Sequence, residues 1–191
     1  MSWPGLVSPE GDWPPEGGPL ILTHSGRLAQ EVGRFPSPAT TGGSMAAMFR
    51  RATGSDAVGL RDLEKAANLV ALAHVFPPEQ HPYPDQLVLD RWREVLADPD
   101  VTTLVSEDDE GLTAFAAFDE DTLLHLAVRT NQWASGLART LMAEVPSTRL
   151  WCLAENHRAR RFYERLGWRP TGKEEPETFV PFPVRLEYEL R

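Results

Sequence analysis

TLLHLAVRTNQWASGLAR, residues Thr122 to Arg139, is the stretch from which the rest of the chain is read. Leu123, Leu124, Leu126 and Val128 form an apolar run with little alternation, the pattern of a strand covered on both faces in a mixed α/β sheet. The run stops at Arg129-Thr130-Asn131-Gln132. Beyond it, Ala134, Leu137, Ala138, Leu141, Met142 and Val145 recur at three- and four-residue spacing, so a helix with one buried side is expected from about Ala134. The strand therefore aims at a helix N-terminus. The first N–H groups of a helix have no internal partner and carry partial positive charge, so small residues there open them to a phosphate. Ala134, Ser135, Gly136 and Ala138 are all small.

A second well-specified segment is Asn156 to Trp168, NHRARRFYERLGW, after the apolar strand Leu150-Trp151-Cys152-Leu153. Asn156 is a good N-cap, and Ala159, Phe162, Tyr163 and Leu166 fall at i, i+3, i+4 and i+7. Gly167 suits the left-handed position that ends a helix.

Together the two segments resemble the GNAT (Gcn5-related N-acetyltransferase) superfamily. Its acyl-CoA loop, Q/R-x-x-G-x-G/A after a strand ending in L-x-V, is met here by Trp133-Ala134-Ser135-Gly136-Leu137-Ala138, with tryptophan in place of Gln or Arg. Its N-x-x-A-x-x-F-Y-x-x-x-G-F/W segment is met at every marked position from Asn156 to Trp168. The resemblance covers roughly residues 100 to 190, with vaguer agreement from Met48. It implies a mixed α/β (α+β) fold whose central, mostly antiparallel sheet is splayed at the cofactor site and flanked by helices. It implies acetyl-CoA as acyl donor, with pantetheine paired to Leu126, Ala127 and Val128 and the diphosphate on the loop Trp133, Ala134, Ser135, Gly136, Leu137, Ala138 and Arg139. Asn156 would bond the pantetheine arm, Ala159 and Phe162 would flank it, and Arg139 or Arg161 would approach the phosphates. Tyr163 would be the catalytic residue, its phenol held at the sulfur as hydrogen-bond donor or general acid. For these side chains a plain cap, a solvated arginine and a buried core tyrosine are the alternatives.

The implied activity is transfer of acetyl from acetyl-CoA to a primary amine by direct attack in a ternary complex. The alternative is a GNAT-shaped module that binds acyl-CoA or a protein and does not catalyse. A nucleotide-phosphate enzyme is a poorer reading, since neither G-x-x-x-x-G-K-[ST] nor G-x-G-x-x-G occurs. The acceptor, a small molecule or a peptide, is not named by a fold-level resemblance. A homodimer is compatible with the family.

The general base is not legible. His125 lies in the central strand, but with parity opposite to Leu124, Leu126 and Val128, which favours a core histidine. Glu120, Asp121 and His81 are the other candidates. His24, His74 and His157 show no metal-ligand spacing, so no metal is expected.

The net charge of −9 argues against nucleic acid as a partner. It is unevenly spread: residues 129 to 173 hold nine Arg and Lys against three Glu, while residues 48 to 128 hold 6 basic and 16 acidic groups. The basic part contains the anion loop, and the acidic part would suit a cationic amine. No apolar run reaches membrane-span length and no signal peptide is seen, so a cytoplasmic protein with no membrane partner is expected. The single cysteine, Cys152, reads as a core residue.

Residues 1–45 are expected to be a disordered or loosely packed extension, and 46–191 the GNAT domain. The first 47 residues hold 7 of the 17 prolines and 8 of the 14 glycines, in phrases that propagate neither helix nor strand. After Met48 a short edge strand is expected to Ala52, then a helix from Ser55-Asp56 with Leu60, Leu63, Ala67, Val70 and Ala71 on one face. A loop with four prolines, from Phe76 to Pro84, separates it from a helix over Asp85 to Ala97 with Leu87, Leu89, Trp92 and Leu96 inward. Glu79, His81 and Tyr83 of that loop are candidates for the acceptor pocket, as are Phe179, Phe182 and Tyr188. Two strands follow, Val101 to Ser106 and Gly111 to Phe118, and an alternating strand, Val184 to Leu190, closes the sheet after a loop from Glu174 to Pro183.

Overall fold

A computed structural model describes residues 48–191. The stretch 1–45, expected to be an extension, lies outside the described residues.

Strand β1 (Arg50–Arg51) leads through a 3-10 turn (Gly54–Asp56) into α1 (Ala57–Ala71), and α2 (Asp85–Ala97) follows. Then come β2 (Thr102–Asp108), β3 (Gly111–Phe118), β4 (Thr122–Val128), a 3-10 turn (Thr130–Gln132), α3 (Leu137–Met142), β5 (Arg149–Leu153), α4 (His157–Arg165), β6 (Trp168–Pro176) and β7 (Val184–Leu190). The sheet has 7 strands in the order β1-β2-β3-β4-β5-β7-β6. Every neighbouring pair is antiparallel except β4 and β5. This is the mixed, mostly antiparallel sheet expected from the sequence.

Each face of the sheet buries its own core. On one side α1 and α2 set Leu60, Leu63, Ala67, Val88 and Trp92 against Val105, Phe115, Ala117 and Ala127. On the other, α3 and α4 set Leu137, Leu141 and Tyr163 against Ala114, Ala116, Val128, Leu150, Cys152 and Tyr188. Burying a large aliphatic or aromatic side chain is worth about 1.5–3 kcal/mol, so the helices are held by these stripes rather than by propensity. At the sheet's first edge Arg50 forks onto both Asp56 (2.9 Å) and Glu107 (2.7 Å), tying β1 and β2 to the start of α1.

Three details depart from the sequence expectations. The helix placed from Ala134 begins at Leu137, because Ala134 (φ 67°) and Gly136 (φ 94°) take left-handed backbone that cannot continue a right-handed helix. In α2 Trp92 is buried and Leu89 and Leu96 are half-buried against the same core, as expected, but Val88 takes the inward place given to Leu87, which is 40% exposed; in α1, Val70 is 60% exposed. Strand β6 runs to Pro176, into the segment from Glu174 that the sequence assigns to a loop. It is an edge strand interrupted by Pro170, Gly172 and Pro176, paired only to β7 and bulged between Pro170 and Glu174, so it shows little alternation.

Candidate functional site

Strands β4 and β5 are registered only at Thr122↔Arg149 and Leu123↔Leu150. Beyond that point β5 continues to pair with β7 through Leu153, while β4 stays on β3 and bends away. The bend has a local cause. The register on β3 shifts from Ala117↔His125 to Phe118↔Leu123, so Leu124 is an extra residue on β4, and such a bulge turns the strand.

The wedge exposes peptide groups in a defined pattern. Arg129 N–H donates to Thr113 C=O at 2.7 Å, and in an antiparallel ladder the residues facing the partner strand alternate. Ala127 and His125 therefore turn their peptide groups to β3, whereas Leu126 and Val128 turn theirs into the wedge. This refines the expectation of three pairing residues: Ala127 is already engaged, and its side chain lies in the α1/α2 core. The Val128 carbonyl is also taken, by the Trp133 indole N–H at 2.8 Å. Among the described residues the N–H and C=O of Leu126 and the N–H of Val128 remain open, and buried peptide groups require partners.

The loop after β4 presents unpaired amides, and it does so through its turn rather than through a long helix, since α3 has only 6 residues. Its two left-handed positions fold the backbone back, the Ser135 hydroxyl oxygen accepts from the Leu137 N–H at 3.2 Å, and the N–H groups of Gly136, Ala138 and Arg139 have no backbone acceptor. Adjoining amides in such a turn form an anion-binding concavity. Arg158, which sequence reasoning passed over, lies with its guanidinium 4.0 Å above the Trp133 ring. It is exposed and pairs with no carboxylate among the described residues. Arg139 and Arg161 are exposed as well. Arg160 is committed elsewhere, donating to the Tyr188 hydroxyl (2.9 Å) and the Ala154 carbonyl (2.8 Å).

A cleft of about 200 Å³ occupies the wedge. Leu123 to Leu126 form one wall, Leu150 to Leu153 the other, and Asn156, Ala159 and Tyr163 reach it from α4. Asn156 lines the cleft and caps α4, its side-chain oxygen accepting from the Ala159 N–H at 3.1 Å while its amide nitrogen has no partner among the described residues. Tyr163 is 8% exposed and packs edge-on to Phe162 and Trp168. Burial holds its phenol well above the ordinary value, and no hydrogen bond from the described residues acts on it. Phe162 is half-buried against the same core. Cys152 is buried beside them, its thiol pushed up to about 12 by burial, so it is no nucleophile at neutral pH.

The far side of the cleft is built by α1, through Glu64, Asn68 and Leu72, and by His125. Glu64 is buried and accepts from both the Arg91 guanidinium and the Trp92 indole N–H, the latter at 2.8 Å. The candidates from the proline loop do not line this cleft. Glu79 is exposed, His81 lies edge-on to Phe76, and Tyr83 sits beneath the Lys65 ammonium. Before that loop, His74 places its Nε2 3.0 Å from the Glu155 carbonyl, just beyond the end of β5. Tyr188 is fully buried, donating to Glu164, and Phe182 is 56% exposed. Glu120 and Asp121 lie in the turn before β4 and do not line the cleft. A second depression, of about 190 Å³, lies between β1 and the end of α2 and holds none of the motif residues. Among the described residues no cluster of metal-ligating side chains occurs, and no helix is long and apolar enough to cross a membrane.

Residues 99–170 match the family model of the acetyltransferase (GNAT) domain. Among solved structures the chain is similar to a GNAT-family acetyltransferase from Desulfovibrio desulfuricans, at 21% identity and TM-score 0.55 over 75% of this chain and 97% of that one. It is also similar to the PaiA N-acetyltransferase of Thermoplasma acidophilum in complex with coenzyme A, at 15% identity and TM-score 0.52 over 74% and 97%. A third is YncA of Salmonella typhimurium with acetyl-CoA, at 17% identity and TM-score 0.53 over 75% and 92%. A comparison with curated proteins finds no match. The described chain thus has the GNAT fold, and its middle carries the GNAT acetyltransferase domain signature.

Proposed function

We propose that this protein is an N-acetyltransferase carrying acetyl from acetyl-CoA to a primary amine, with residues 46–191 as the catalytic domain and 1–45 as an extension to it. The observation that carries the reading is the open peptide edge at Leu126 and Val128 beside a cleft that Tyr163 also lines. A chain bearing two amides, such as pantetheine, completes that edge as a strand would, each hydrogen bond contributing about 0.5–1.5 kcal/mol net. The amides of Gly136, Ala138 and Arg139 then receive the diphosphate, with Arg158 on its Trp133 platform above them. The GNAT fold and the CoA and acetyl-CoA complexes of two neighbours support the same ligand.

The acceptor nitrogen attacks the thioester carbonyl carbon directly, in a ternary complex. Tyr163 holds its proton more tightly than a thiol does, so it stabilises the departing thiolate by donating a hydrogen bond rather than by giving up the proton. Cys152, protonated and buried, forms no acyl intermediate. Amine acceptors enter from the α1 side of the wedge, where Asn68 and Leu72 form the wall.

The test is incubation with acetyl-CoA and a panel of amines (spermidine, free amino acids, an aminoglycoside, peptides with a free N-terminus or a lysine), following thiol release. Turnover with at least one is expected. Acetyl-CoA binding without turnover across the panel would favour a non-catalytic module, and no binding would remove the reading.

A further inference from the structure

The α1 wall of the cleft carries a single carboxylate. Among the described residues that line the cleft, Glu64 is the only acidic one, and no Lys or Arg is present. The one imidazole there, His125, is neutral, because burial, and then the Arg91 and Arg185 charges, hold it well below its ordinary 6.5. Glu64 is 9% exposed.

Its two oxygens are used differently. Oε2 accepts from one nitrogen of the Arg91 guanidinium and from the Trp92 indole N–H, the latter at 2.8 Å. Oε1 accepts no hydrogen bond among the described residues and is not sealed from solvent. The Tyr83 hydroxyl feels the Glu64 charge, but it is buried and makes no hydrogen bond. A carboxylate has about four lone-pair sites, so Oε1 can take a second cation beside Arg91. The Arg91 side chain is more exposed than that of Glu64, 27% against 12%, so its charge is the more screened of the two. Arg185 is answered by Glu175 and Glu177. The wall therefore attracts a cation and offers nothing to an anion. Residues 48–128, which build this side, hold 6 basic against 16 acidic groups, a field that draws cations toward it.

The placement also says which nitrogen is held. Glu64 comes from α1 and Tyr163 from α4, on opposite faces of the sheet. The thiolate leaves beside Tyr163, so an ammonium at Glu64 lies away from the reacting centre. An amine kept protonated at a carboxylate is a handle and not a nucleophile. Leu72 and Leu124 add apolar wall suited to a short methylene chain.

We infer that Glu64 sets the acceptor class, an inference that rests on the acyl transfer proposed above. The acceptor is an aliphatic diamine or polyamine: its remote ammonium donates to Glu64 Oε1, while its other nitrogen, unprotonated, meets the thioester. An amine with a carboxylate in place of that ammonium finds no cation in the cleft and is repelled by Glu64.

Three four-carbon amines isolate the remote group: putrescine ends in an ammonium, butylamine in a methyl and γ-aminobutyrate in a carboxylate. With the full-length chain, kcat/KM is expected about 10–100-fold higher for putrescine than for butylamine, the range of a charge-assisted hydrogen bond, with γ-aminobutyrate below butylamine. Glu64→Gln keeps an oxygen for Arg91 and Trp92 and puts an amide N–H in the place of Oε1. It should bring the putrescine-to-butylamine ratio within threefold of one, with the loss falling on KM, because the remote contact is made alike in ground and transition states. Acetyl-CoA affinity by calorimetry checks the fold of the variant. A Glu64 that only joins α1 to α2 would slow all three amines alike and leave the ratio as in wild type, which would overturn the inference. A wild-type ratio below threefold, which needs no variant, would also overturn it and leave the acyl transfer standing. Absence of turnover with every amine in wild type would overturn both.

Discussion

Replacing Tyr163 by phenylalanine removes one hydroxyl from the wedge and leaves the ring in its core between Phe162, Trp168 and Tyr188. Because no protein group hydrogen-bonds that hydroxyl among the described residues, the substitution strands no partner, and its cost to stability is expected within about 0.5 kcal/mol. The cost to chemistry is of another size. Removing one preorganised donor from a charge-developing atom lowers kcat about 10²–10³-fold, or about 2.7–4 kcal/mol. The ground-state thioester sulfur is a poor acceptor, so the bond strengthens only as thiolate forms; kcat and kcat/KM fall together and the Kd for acetyl-CoA stays within twofold. The assay is steady-state thiol release beside calorimetric binding and a thermal melt. A kcat within threefold of wild type would reduce Tyr163 to a packing residue, and a Kd raised in step with the rate loss would make it a binding group.

Trp133→Phe keeps the platform for Arg158 but removes the N–H that holds the Val128 carbonyl, a loss of about 1 kcal/mol, so CoA affinity measured by calorimetry should fall about fivefold; unchanged affinity would detach the loop from the ligand. Arg158→Ala should weaken CoA binding most at low salt, whereas Arg161→Ala should not, and equal effects would remove the distinction. The Arg50 guanidinium holds Asp56 at about 2, below its ordinary 3.8, so stability from this pair is full above 3.8 and is lost as pH falls toward 2. In Arg50→Ala the loss of thermal midpoint between pH 4 and 2 should be shallower, and an unchanged slope would contradict the pairing. Cys152, buried with a thiol near 12, should resist iodoacetamide at pH 8 until the chain is unfolded, as read by intact mass.

The central strand and α4 were legible because each carries its own periodicity and punctuation: the apolar run of Leu123 to Val128, the Asn156 cap and the Gly167 stop. What escaped depends on groups distant in sequence. The wedge forms because Leu124 is surplus to the β3 register, and no single strand reveals its partner's count. The peptide direction that opens Leu126 and closes Ala127 follows from the same register. Trp133, a departure from the family loop, gains its meaning only from Val128 and Arg158, and the Glu64–Arg91–Trp92 network joins two helices whose sequences show only their apolar stripes. Strand β6, broken by Pro170 and Gly172, lacks the alternation that announced β7.

The account stands most directly on hydrogen exchange at three adjacent amides, with and without saturating CoA. Leu126 and Val128 should gain strong protection when CoA binds, because their N–H groups then acquire acceptors, while Ala127, already bonded to β3, should change little. Unaltered exchange at Leu126 and Val128 on protein that binds CoA would place the cofactor outside the wedge and contradict the account.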